Sequence, residues 1–190
     1  MPWMTLSWSL SNAMSAACGH IPGRCLLSVL AVACLGMVAG CGPEDETAMR
    51  DRLGQYFSLR ETIAYEAQRA CLAGVFHVAD DRVKAAMPVA SGVGEMLGLL
   101  ARRNLALLND PGQSPDALFI EVMNIERTQG MRMRRAGLEA LDCMDAVTET
   151  AFRHALDGRG NLVGYDAKSG LLMLLDRHNR LLVIARGAEA

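Results

Sequence analysis

Every acidic side chain of this 190-residue chain lies after Cys41, and before it the only charged side chain is Arg24. A segment with almost no charge cannot supply the solvated outer face of a folded domain. Residues 1–40 are therefore read apart from the rest, and the folding problem shrinks to residues 41–190. Within the uncharged segment, residues 25–40 read CLLSVLAVACLGMVAG, an uninterrupted run of sixteen residues behind Arg24. A helix that spans a bilayer needs about 20 apolar residues. The apolar region of a secretory signal runs to about 7–15 and follows a positive flank, which fits this run better. Residues 1–40 are expected to be a signal peptide, and Met14 offers a start that would give it ordinary length.

The run closes on Val38-Ala39-Gly40-Cys41, with Glu44, Asp45 and Glu46 close behind. An aliphatic residue, two small residues and a cysteine, placed where charge begins, resemble the lipobox of bacterial lipoproteins. The resemblance covers only the signal and its junction. It implies that the Cys41 sulfur carries a diacylglyceryl group, that the chain is cut just before Cys41, and that the new amino terminus is acylated. One acyl chain gives marginal membrane binding, whereas two or more hold firmly. It further implies a protein held in the cell envelope and facing the periplasm. Gly42, where an inner-membrane retention signal would place Asp, leans towards the outer membrane. Two alternatives stay open: a plain secretory cut after Ala31-Val32-Ala33, and a retained membrane helix.

Removing the signal changes the cysteine arithmetic. Of six cysteines, Cys18, Cys25 and Cys34 leave with it and Cys41 is taken by lipid. Cys71 and Cys143 remain, and an even pair in an oxidising compartment points to a disulfide. Cys71 falls on a stripe with Leu53, Phe57 and Ala64, and Cys143 on one with Ala136, Ala140 and Val147, so both are expected to face inward from helices. The alternative is two free buried thiols.

With hydrophobic residues at 51% and aromatics at 5%, the core must be built mostly from Leu, Val, Ala and Met. Apolar residues recur at helical spacing from Met49 to Gly74, from Glu95 to Leu108, from Leu118 to Gln129, and from Met133 to Ala151. Gly130 is a candidate bend or break. Ser114 with Pro115 marks a helix start after a Pro- and Gly-rich loop. The tail holds three short apolar runs, residues 162–165, 171–175 and 181–185, separated by DAKSG and DRHNR. Both separators read as turns, which predicts an antiparallel meander, with a single helix as its rival. The expected fold is mainly α: a three- or four-helix bundle with a small C-terminal antiparallel β-meander (α+β). Its parts are a lipidated tether at 41–45, the bundle at 46–157 and the meander at 158–187. The last run, residues 181–185, is either an edge open to a partner strand or an internal strand.

Little in this chain calls for catalysis. The mature part holds His77, His154 and His178, but neither H-x-x-x-H nor C-x-x-C, and its one close methionine pair, Met131 and Met133, cannot share a helix face. No metal site and no cofactor are expected. Serines 58, 91, 114 and 169 stand outside any G-x-S-x-G elbow. Net charge of −2 gives no reason to bind nucleic acid. Arg127, Arg132, Arg134 and Arg135 form a basic cluster, either a contact for anionic headgroups or an acidic partner, or a solvated helix face balanced by Glu121, Glu126 and Glu139. The expected function is an accessory or interaction module on the membrane, with an envelope protein as the candidate partner; the alternative is a tethered small-ligand-binding protein or hydrolase.

Overall fold

The computed structural model of this chain describes residues 44–188. The signal segment 1–40, the candidate lipidation residue Cys41 and the start of the 41–45 tether lie outside the described residues. Asp45 opens the domain by capping helix α1 (Glu46–Gly54), its carboxylate accepting from the Thr47 N–H at 3.1 Å, and α1 buries Met49 and Leu53.

The sequence expectation fails at Leu59. Instead of one helix running to Gly74, two strands follow, β1 (Leu59–Ala67) and β2 (Leu72–Val78). The small residues here do fall at helical spacing, but their larger neighbours decide the outcome. Thr62, Ile63, Tyr65, Val75, Phe76 and Val78 are β-branched or aromatic and pack better on a pleated surface. A short strand β3 (Val89–Ala90) and helix α2 (Val93–Arg103) come next. Asn104 then takes a left-handed conformation, φ 57°, and ends α2. The Leu105–Leu108 run predicted as the end of that helix is strand β4.

Ser114 caps α3 (Pro115–Ile125), with Pro115 in the first turn. The helical run breaks at Glu126, not at Gly130. Glu126 takes extended backbone and its carboxylate accepts from the N–H groups of Thr128 and Gln129, capping α4 (Arg127–Glu139). A 3₁₀ turn (Ala140–Cys143) and α5 (Ala146–Asp157), capped by Asp145, complete the helical part.

The chain ends in β5 (Leu162–Asp166), β6 (Leu171–Asp176) and β7 (Leu181–Arg186). Each connecting turn opens on an aspartate that folds back on its successors. Asp166 accepts from the N–H groups of Lys168 and Ser169. Asp176 accepts from those of His178 and Asn179, both at 3.0 Å, and this satisfies an otherwise buried carboxylate.

The seven strands of the described residues form one sheet in the order β1-β2-β7-β6-β5-β4-β3. Neighbours run antiparallel except β3 and β4, which are parallel. The architecture is thus α+β around a large mixed sheet. This corrects the expected helical bundle: the three C-terminal strands are the middle of the sheet and not a small meander on a bundle's side. β7 pairs with β2 on one flank and β6 on the other, so residues 181–185 are not an edge.

Both faces of the sheet are covered. Leu172, Leu174, Val183 and Tyr165 pack with Met96, Leu118, Met133 and Phe152 from the helical layer. Leu171, Met173, Leu175 and Ile184 pack on the other face with Met49, Leu53 and Phe57 from α1 and its exit. Two-sided burial explains why β6 reads as an unbroken apolar run with no alternation.

Candidate functional site

Three places in the described domain have enough chemistry to consider. The first is a cleft of about 310 Å³ between α2 and α4. α2 supplies an apolar wall of Leu97, Leu100 and Ala101, and α4 with its cap supplies Glu126, Gln129 and Arg132. Asn104, which ends α2, and Ala167, which begins the β5–β6 turn, complete the lining. The Glu126 carboxylate is engaged in capping α4, with Gln129 N at 2.6 Å. The Gln129 amide nitrogen, by contrast, is buried without a hydrogen-bond partner. The Tyr165 hydroxyl, in the core layer beneath, is also buried without one. Burial pushes the Tyr165 phenol above its ordinary value; the Arg132 charge opposes this and the Asp166 carboxylate adds to it. A buried donor left unpaired costs about 1–3 kcal/mol. The cleft therefore presents one unmet donor, the Gln129 amide, beside a guanidinium and next to an apolar wall, and suits a small molecule that accepts hydrogen bonds.

The second place is the outer face of α4. All four predicted arginines, Arg127, Arg132, Arg134 and Arg135, are exposed on this helix. They do not act as one patch. Arg132 turns towards the α2 cleft, and the Arg135 Nε lies 3.3 Å from Glu139 Oε1. Arg127 and Arg134, seven residues apart, share the outward stripe with Met131 and Leu138, which are 45% and 56% exposed.

The third is the end of the molecule where the chain enters. Cys71 and Cys143 are joined in a disulfide, with Cα atoms 5.9 Å apart. Neither sits on a helix face as expected. Cys71 directly precedes β2 and Cys143 ends the 3₁₀ turn, so the bridge ties the β1–β2 turn to the segment that leaves α4. Beside it a depression of about 460 Å³ lies between β1 and the start of α5. Its acidic lining includes Asp145, whose carboxyl is held below the ordinary range by the Thr148 backbone N–H it accepts from. This carboxylate serves as a helix cap.

Three of the four serines weighed from the sequence are engaged structurally. Ser91 Oγ donates to Glu95, Ser169 Oγ to Asp166, and Ser114 Oγ caps α3. Met133 is buried while Met131 is exposed, so the methionine pair points to opposite sides. Among the described residues no group of three or more His, Cys, Asp or Glu side chains converges as metal ligands would. Among them, too, no helix is long and apolar enough to cross a membrane.

Helical spacing in the sequence puts Gln129 on one face with Leu118, Val122 and Ile125. In the structure it belongs to the next helix, and Ile125 is 59% exposed. Gln129 and Asn104 are site residues that sequence reasoning does not single out. The one local signal is the glutamate at position 126, three residues before a glutamine and suited to cap a new helix. Comparison with protein-family models, with curated proteins and with solved structures gives no match for this chain.

Proposed function

We propose that this protein is a membrane-anchored envelope lipoprotein whose domain acts as an accessory or interaction module. The observation that carries the reading is the Cys71–Cys143 bridge in a domain that follows Val38-Ala39-Gly40-Cys41. Disulfides persist in oxidising compartments such as the bacterial periplasm. The bridge and the lipobox are independent features that agree on one location. Cys41 is the acylated residue in this reading, and Gly42 favours the outer membrane. Arg127 and Arg134 face solvent on α4 and are available to anionic headgroups or an acidic envelope partner.

Intact-mass spectrometry of the protein purified from its own membranes tests this. The expected species begins at Cys41 and carries acyl mass. A species beginning at Cys34, or one that retains residues 1–40, would sink the reading. The same sample, alkylated with and without reductant, reports the Cys71–Cys143 bond.

A second reading, a tethered small-ligand-binding protein, is favoured by the α2–α4 cleft with the unmet Gln129 donor on its wall. Titration with a fragment library of small carboxylates and amides, followed by two-dimensional NMR, should move the Gln129 side-chain amide and the Arg132 guanidinium signals first. Saturable shifts only at other residues would remove it.

A further inference from the structure

The chain enters the described domain at Glu44, and Glu44 is fastened there. The Tyr65 hydroxyl donates to its backbone carbonyl at 2.8 Å. Its carboxylate lies 2.6 Å from Arg186 Nη1 and 3.4 Å from Arg52 Nη1. Cys41 stands three residues earlier, and an extended chain spans at most about 3.6 Å per residue. The Cys41 attachment point of any lipid is thus confined to about 11 Å of this clamp.

Strand register shows what else lies at this end. Leu72 pairs with Arg186 and Ala67 with Leu72, so the β1–β2 turn is here. Leu172 pairs with Ala185 and Asp166 with Leu171, so the β5–β6 turn is here too. The disulfide brings the 3₁₀ turn to Cys71, and the Gly187 backbone lies against the Glu139 side chain, which adds the end of α4. The exposed residues on these segments include Gln68, Arg69 and Ala70, Lys168, Leu138 and Leu141. Leu138 and Leu141 stay 56% and 37% exposed although each is large and apolar. At the opposite end stands the β6–β7 turn, about 20 Å away along strands of six residues.

We infer that this end of the sheet, with Leu138 and Leu141 foremost, is the face that rests on the bilayer. The orientation rests on the lipid-anchor reading. A clamp within about 11 Å of the lipid's attachment point leaves no room for the domain to swing its far end down. Apolar side chains held at an interface bury their surface among acyl chains and glycerol groups, while neighbouring lysine and arginine side chains reach the headgroups. Glu66 and Asp142 are also exposed nearby, so the surface is not simply basic. Attraction therefore comes from the anchor and the leucines more than from charge.

Both tryptophans, Trp3 and Trp8, fall within residues 1–40, so the processed protein has none and one introduced indole reports alone. Leu138→Trp, Leu141→Trp and His178→Trp are made separately in the full chain and purified from membranes. Each is reconstituted into vesicles of three parts phosphatidylethanolamine to one part phosphatidylglycerol, carrying a shallow doxyl-labelled quencher. Flotation with the vesicles is measured first. The expected result is flotation of all three, with quenching at 138 and 141 at least about threefold that at 178, as insertion to the headgroup boundary requires. Flotation with equal quenching at all three positions, or with stronger quenching at 178, overturns the orientation and leaves the anchor standing. Failure to float overturns both. Circular dichroism on each variant confirms the fold, and because both leucines are exposed, either variant alone decides the matter.

Discussion

Gly130 shows how little room separates α3 from α4. It is buried, and a Cβ built there would sit 2.7 Å from the Met123 backbone nitrogen. Backbone cannot yield as a side-chain tip can, so Gly130→Ala should destabilise by about 1–3 kcal/mol, read from urea unfolding. Charge gives a second prediction at this scale. Bonds from Ser91 hold the Glu95 carboxyl below its ordinary value, a side-chain bond from Arg177 does so for Asp81, and the Thr148 N–H for Asp145. Because the folded values are depressed, the stability these carboxylates supply is present above the ordinary carboxylate range and lost as pH falls through it. Thermal melts at about pH 5 and about pH 3 should show the loss, and Asp145→Asn should shrink it. Tyr65 runs the other way. Burial, with the Glu44 charge behind it, raises its phenol from 10.0 to about 12. Its contribution is whole below pH 10 and is lost as pH rises towards 12. An ultraviolet titration should show two late-ionising tyrosines, Tyr65 and Tyr165, of which Tyr65→Phe removes one.

Elements differ in how plainly their residues announce them. The start of α3 is legible, because Ser114 and Pro115 act within one turn. The β5–β6 and β6–β7 turns are legible for the same reason: Asp166 and Asp176 bond to residues two and three positions on. β1 and β2 are not. β1 changes register twice, between Leu59 and Thr62 and between Thr62 and Ala64, which scrambles the alternation that marks a strand. β2 is buried on both faces, so it shows no alternation either. Asn104 is the one sign that α2 stops before Leu105, and its left-handed backbone is visible only in three dimensions. Of the candidate site, the arginines are legible as charges, but their division between cleft, ion pair and open face depends on helical packing. The cysteine pairing can be counted from sequence, whereas the elements it joins cannot. The bridge joins residues 72 apart. By the chain-entropy treatment a loop of that length is worth about 4 kcal/mol. Replacing both cysteines with serine should lower stability by up to about that amount in denaturant unfolding, without loss of the sheet.

At the scale of the whole molecule, the sheet is the shared wall of two cores. Along β6, Leu172 and Leu174 serve the helical side while Leu171, Met173 and Leu175 serve the α1 side. Leu174→Ala and Met173→Ala should therefore each cost about 2–5 kcal/mol, although they point in opposite directions. Chemical denaturation of the two variants checks this; a near-neutral Met173→Ala would mean that α1 does not cover its face. The strand order has a different consequence. β2 finds its second neighbour in β7, the last of the described strands, about a hundred residues later, and contacts so distant in sequence form slowly. A chain made from its amino terminus onward must therefore hold the β1–β2 hairpin with one flank unzipped until β7 has emerged. For that interval β2 is an open template for any passing strand, and loss of β7, Leu181–Arg186, would make the interval permanent.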